Sequence, residues 1–167
     1  MIGIEIRADS LADPVTVIPG ELVAAVTEIV ALLERNVKRR TPVGVSGGGG
    51  LRGSIAGEVR QASSMGVGVP IGRVGSPLPY ALVVERGRQP GKMPPPEALE
   101  LWVRRKLGVQ NVNEARSVAY LIARKIGREG TEGAHMFRYA AQHNESTIRR
   151  ILEQSGVRMT VDFAKGM

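Results

Sequence analysis

The stretch TPVGVSGGGGLRGS, residues 41–54, holds six glycines in fourteen positions, dense enough to suggest a backbone cradle for phosphate. A nucleotide-binding phosphate loop follows a strand, sets Lys-Ser or Lys-Thr directly after its last glycine and opens a helix. Here the glycine run follows a helical pattern, Arg52 precedes Gly53–Ser54, and the residues beyond alternate as a strand would. The expected reading is a flexible glycine loop at 44–50, with glycines free to take positive φ, that enters a strand at Leu51. Other reactive groups are equally poor in pattern. His135 and His143 stand two helical turns apart, not the single turn of a metal pair. Ser54, Ser63, Ser64 and Ser117 fit no nucleophile elbow or triad order. Glu97 and Glu100 fall in a predicted first helical turn, where the helix dipole accounts for them better than acid–base work. The chain has no cysteine, which removes disulfides, thiolate metal sites and a thiol nucleophile. No catalytic residue, cofactor or metal is expected.

The basic residues carry the strongest remaining signal. Lys and Arg total 23 against 16 Asp and Glu, a formal charge of +7, which suits nucleic acid or acidic protein partners. Eighteen of these bases are Arg, the side chain fitted to bidentate contacts with carboxylate and phosphate, although high-GC coding also explains the excess. Arg35, Lys38, Arg39 and Arg40 crowd the end of one predicted helix, Arg104, Arg105 and Lys106 a second, and Arg124, Lys125 and Arg128 a third. Helix C-termini favour cations, so a solvated face covers much of this pattern. Arg35 and Arg39, however, are like charges at i,i+4, mildly unfavourable in an isolated helix. The six aromatics lie mostly in helical segments, not interleaved with bases on strands as a single-strand stacking platform requires.

The elements that must position these residues follow from periodicity. Ile2, Ile4 and Ile6 alternate with Gly3, Glu5 and Arg7 as in a half-buried strand. Leu22, Val26, Ile29, Leu33 and Val37 recur at steps of three and four, predicting a helix of about five turns from Gly20 that Thr41–Pro42 ends. Residues 54–72 read as two antiparallel strands joined near Ser63–Ser64, with Leu51, Ile55 and Val59 sharing one face, and Met65, Val67, Val69 and Ile71 likewise sharing one. A short helix, or a strand, spans 78–87. A clearer helix begins at the prolines before Glu97 and ends near Gly108, with Leu99, Trp102, Val103 and Leu107 on one side. Another runs over 113–127 from an Asn113 cap, placing Ala115, Val118, Ala119, Ile122 and Ile126 inward. GREGTEG breaks the chain at 127–133, a last helix covers about 134–155, and VRMTVDF, 157–163, alternates as a closing strand. The order β-α-β-β-α-α-α-β predicts an α+β fold: an antiparallel sheet of about four strands, with a long N-terminal helix and C-terminal helices packed on it.

A length of 167 residues, 43% of them hydrophobic, suits one domain over 1–167. No apolar run reaches the ~18–20 residues of a membrane span, and MIGIEIRADS lacks the basic start and apolar core of a signal peptide. A soluble protein, intracellular or capsid-borne, is expected.

Four segments in order resemble one known family. TPVGVSGGGGLRGS is similar to a Thr-Pro-Val, glycine-containing loop, Leu-Arg-x-Ser pattern after a long helix. LPYALVVERGRQP resembles Pro-Tyr-Ala followed by Val-Glu-x-Gly, and PPPEALELWVRRKLG resembles a Pro-Pro helix with Leu-x-x-Trp-Val. SVAYLIARKIGREGTEGAHMF resembles the run through Gly-Thr-x-Gly to Phe that precedes a last helix. Together they resemble the neck or tail-completion proteins of long-tailed bacteriophages and prophages, related to the minor tail protein Z group. The resemblance covers about residues 20–155, and the longer glycine run at 44–50 departs from it.

The resemblance implies a virion structural protein without enzymatic activity, assembled in the host cytoplasm and resident in the neck or tail region. It implies a cyclic ring, hexamer or dodecamer, between the head connector or head-closure protein and the tail terminator or tube protein, with transient contact to passing DNA and none to membrane. On that reading Arg35, Arg39, Arg52, Glu85, Arg86, Arg88, Arg104 and Arg105 are candidate contacts between subunits or with partners. The alternative function is a basic nucleic-acid-binding protein.

Overall fold

A computed structural model describes residues 2–7, 19–45, 50–64 and 67–155. Its elements run β1 (Ile2–Arg7), α1 (Pro19–Arg40), α2 (Gly50–Ser54), β2 (Ala56–Ser64), β3 (Val67–Ser76), α3 (Ala81–Arg86), β4 (Gly87–Arg88), α4 (Glu97–Lys106), α5 (Val112–Glu129), β5 (Thr131–Glu132) and α6 (Met136–Gln154). The fold is mixed helix and sheet with a small antiparallel sheet, as the periodicities predict. The sheet has three strands among the described residues, in the order β1-β3-β2, beside a separate β4-β5 ribbon. The predicted closing strand at 157–163 and most of the glycine loop lie outside the described residues.

Helix α1 organises the core. Its apolar stripe is buried as predicted: Val26, Ile29, Leu33 and Val37 are fully enclosed and Leu22 nearly so. One flank of α1 lies on β2 and β3, another on α6. Asn36 ties it to α6 by donating from Nδ2 to Asn144 Oδ1 at 2.9 Å. The Thr-Pro stop closes it from inside, because the buried Thr41 hydroxyl donates to the Val37 carbonyl at 2.7 Å and sits 3.2 Å from Met136 Sδ.

The predicted apolar face of β3 is not the one that lies against α1. Gly57 opposes Val74 and Val59 opposes Gly72, and it is Gly72, Val74 and Ser76 that are buried while Ile71 is only half-buried. The cause is the close approach of α1. A Cβ at Gly72 would lie 2.5 Å from Val30 Cγ2 and 3.0 Å from Val26 Cγ1. The face beneath the helix is therefore partly glycine, and Ile71 falls on the opposite side, although Val69 still packs against the main core.

Leu51 does not start a strand. Residues 50–54 form one helical turn that buries Leu51, and Ser54 Oγ accompanies it by donating to the Leu51 carbonyl and lying 2.8 Å from Ser76 Oγ on β3. The cap of α5 is Asn111, not Asn113: its Oδ1 accepts from the backbone N–H groups of Asn113 at 2.9 Å and Glu114 at 3.2 Å. That helix also continues to Glu129, past Gly127.

Helices α4 and α5 form an arm with its own small core of Val103, Ala115 and Ala119, backed by Leu99, Val109, Val118 and Ile122. Arg116 Nε meets Glu100 Oε1 at 3.2 Å between the two helices. Much of the arm's apolar surface stays outside. Leu101, Leu107, Val112, Tyr120 and Leu121 are 44–59% exposed and Trp102 39%, although Trp102 and Leu107 are predicted on the same side of the helix as the buried Val103.

Candidate functional site

Three of the predicted contact residues meet in one place. The outer face of α1 and the turn α2 enclose a shallow groove of about 390 Å³ lined by Glu34, Arg35, Lys38, Arg39 and Arg52 beside Ala31. Helix α1 supplies Arg35 and Arg39 at i,i+4 on its exposed side, and burial of Leu51 turns Arg52 outward. No carboxylate of the described residues pairs with Arg35, Arg39 or Arg52. The groove can hold a carboxylate or phosphate through guanidinium contacts.

Glu34 does not neutralise those arginines, because its carboxylate is already engaged. Oε1 accepts from Lys38 Nζ at 2.5 Å and Oε2 from the Gly57 N–H at 2.8 Å. The Lys38 hydrogen bond, with help from the Gly57 N–H and against partial burial, holds this carboxyl below its ordinary 4.5. A depressed folded value means that its contribution to stability is complete above the unfolded value and is lost as pH falls through the folded one. The stability gap between the native protein and Glu34→Gln is therefore expected to be full at pH 7 and to shrink progressively below about pH 4.5. Urea titrations of both proteins at pH 7 and pH 3 check this, and a gap that grows on acidification refutes it.

The other predicted contacts are dispersed. Glu85 is 6% exposed, and its oxygens accept from the backbone N–H groups of Phe137 and Arg138, each at 3.0 Å. It is an internal cap for α6, where the unpaired N–H groups and the positive end of the helix favour a carboxylate. Arg88 donates to the Lys92 carbonyl, and Arg105 to the Val45 carbonyl. Arg86 and Arg104 are exposed at the ends of α3 and α4, away from the groove. Arg40 is occupied as well: its guanidinium lies 3.9 Å from the centre of the Tyr139 ring, which stacks on His143 at 3.5 Å.

Sequence reasoning missed the junction between two of the motifs. Gly87 and Arg88 pair with Glu132 and Thr131, and beyond the ribbon Ala134 N–H donates to Val84 O at 2.8 Å and His135 N–H to Glu85 O at 3.1 Å. Val-Glu-x-Gly and Gly-Thr-x-Gly are thus the two sides of one structural clasp at the start of α6. The shared glycines were the available signal. Among the described residues there is no cluster of metal-ligating side chains and no helix long and apolar enough to cross a membrane. Comparison with family models, with curated proteins and with solved structures returned no match to this chain.

Proposed function

We propose that this chain is a virion structural protein, a ring-forming subunit of the neck that joins a phage head to its tail and lets DNA pass. The four motifs support this reading, and the observation that carries it is the α4–α5 arm. An arm with three fully buried core residues and six large apolar side chains 39–59% exposed gains further burial when another surface covers it. A cyclic ring supplies such a cover through heterologous contacts, one face of each copy meeting a different face of the next. The sheet offers a second means of joining, since β1 and β2 each pair on one side only among the described residues.

The test is a reconstruction of the assembled particle together with a double variant at two side chains more than half exposed, Leu107→Ser with Leu121→Ser. The ring reading expects density for this chain at the neck. It also expects the variant subunit to unfold within about 1 kcal/mol of the native one, as exposed substitutions do, while joined particles fail to form. Joined particles without this chain at the neck reject the proposal. The alternative, a basic nucleic-acid-binding protein, is favoured by Arg35, Arg39 and Arg52, which pair with no carboxylate among the described residues, and requires DNA affinity that falls steeply with salt.

A further inference from the structure

The exposed face of α1 separates its charges in a way that no ion pair among the described residues answers. Glu21, Ala24, Glu28, Ala31, Arg35 and Arg39 are all exposed and, at 100° per residue, fall within about 80° of one another around the helix. The stripe is acidic in its first half, small in its middle and basic in its second half. Elsewhere helical charges are matched at i,i+4, as in Glu34–Lys38, Lys125–Glu129 and Glu145–Arg149. On the stripe no carboxylate has a base three or four residues on. The helix dipole accounts for Glu21 and Arg39 in the terminal turns, but its influence fades within a turn of each end. Glu28 and Arg35 lie deeper, and Arg52 from α2 strengthens the basic half.

We infer that the outer face of α1 docks on the same face of a second copy of this chain, with the two α1 helices antiparallel about a twofold axis near Ala31. The twofold places Glu28 of each copy near Arg35 of the other, and Glu21 near Arg39 and Arg52. Both halves of the stripe are satisfied at once, as an isologous contact requires. Ala24 and Ala31 allow the helices to approach closely. A nucleic acid fits the face less well, because a phosphate backbone that answered the arginines would be repelled by Glu21 and Glu28 on the same stripe. From Glu21 to Arg39 the stripe runs about 27 Å, so the contact falls short of the ~800 Å² per partner of a standard interface. The dimer is therefore weak, concentration-dependent and suppressed by salt. This contact uses a different surface from the α4–α5 arm and stands apart from the neck reading.

The chain has no cysteine, which makes crosslinking a clean test. At low salt and high protein concentration, oxidised Ala31→Cys is expected to form disulfide-linked dimers roughly tenfold faster than Ala24→Cys, whose sulfurs sit about 20 Å apart in the antiparallel pair. The advantage should vanish at 1 M salt. It should also vanish when Arg35→Glu and Arg39→Glu are added, and return when that protein is mixed with Ala31→Cys carrying Glu21→Arg and Glu28→Arg. Circular dichroism checks that the charge variants keep their helices, and the comparison of Ala31→Cys with Ala24→Cys depends on no charge change. Equal crosslinking rates for those two proteins at low salt overturn the proposal.

Discussion

Glu85→Ala is expected to lower the unfolding free energy by about 3 kcal/mol, since two hydrogen bonds that its carboxylate accepts from backbone N–H groups disappear together along with a favourable charge at a helix N-terminus. The loss is large because of where it falls. Glu85 is 6% exposed, so water does not readily replace it on the N–H groups of Phe137 and Arg138. Phe137 itself, with Met136, Ala140, Ile148, Ile151 and Leu152, belongs to the main core. Glu85→Gln keeps the shape and one acceptor oxygen but sets an amide N–H against a backbone N–H, and should cost about half as much. In a thermal scan the alanine variant should melt about 6–12 °C lower. Urea denaturation measures both variants, and a change below about 1 kcal/mol for Glu85→Ala would show that α6 is not held through this carboxylate.

The parts of the fold that were legible in the sequence are those whose burial is one-sided and periodic. Helix α1 shows this, with five apolar residues at helical spacing and every one of them buried. Positions where two elements compress against each other were not legible. Under α1 the sheet carries Gly57 and Gly72 in contact with Val30, and a glycine face has no hydrophobic signature, so the alternation of β3 points to Ile71 where Gly72 is the buried residue. Leu51 and Ile55 are four residues apart, a spacing that fits one helical turn as well as a strand. Glu85 reads from the sequence as a candidate contact with another subunit or partner because the groups it holds are 52 and 53 residues away. The gathering of Arg35 and Arg39 was visible as helical spacing, whereas the addition of Arg52 depended on a turn that the sequence hid. The β4–β5 ribbon is only two residues deep on each side, too short to carry a period.

That ribbon also sets the second large effect: Gly130→Ala is expected to destabilise the protein by about 3 kcal/mol or more, through two causes that can be separated. Gly130 has φ 76° and ψ −157°, a region essentially closed to residues with a Cβ and worth ~1–3 kcal/mol when one is forced there. An added methyl would also strike the Arg88 carbonyl and come within 3.0 Å of Gln89 C and Pro90 N. These are backbone atoms of β4 and of the two residues that follow it, so no side-chain rotation relieves the contact, and overpacking of this kind adds ~1–3 kcal/mol. Gly108 provides the control, because its φ is 73° but nothing lies within 4 Å of its would-be Cβ. Gly108→Ala should therefore show only the conformational cost, near 1 kcal/mol. The collision at Gly130 must be relieved by parting the ribbon, which loosens the Ala134–Val84 and His135–Glu85 hydrogen bonds that lead into α6. Amide exchange at Ala134 and His135 should then accelerate in Gly130→Ala and stay unchanged in Gly108→Ala. Equal destabilisation by the two substitutions, with protected amides in both, would mean that the clasp yields without opening and that Gly130 is required for its dihedral angles alone.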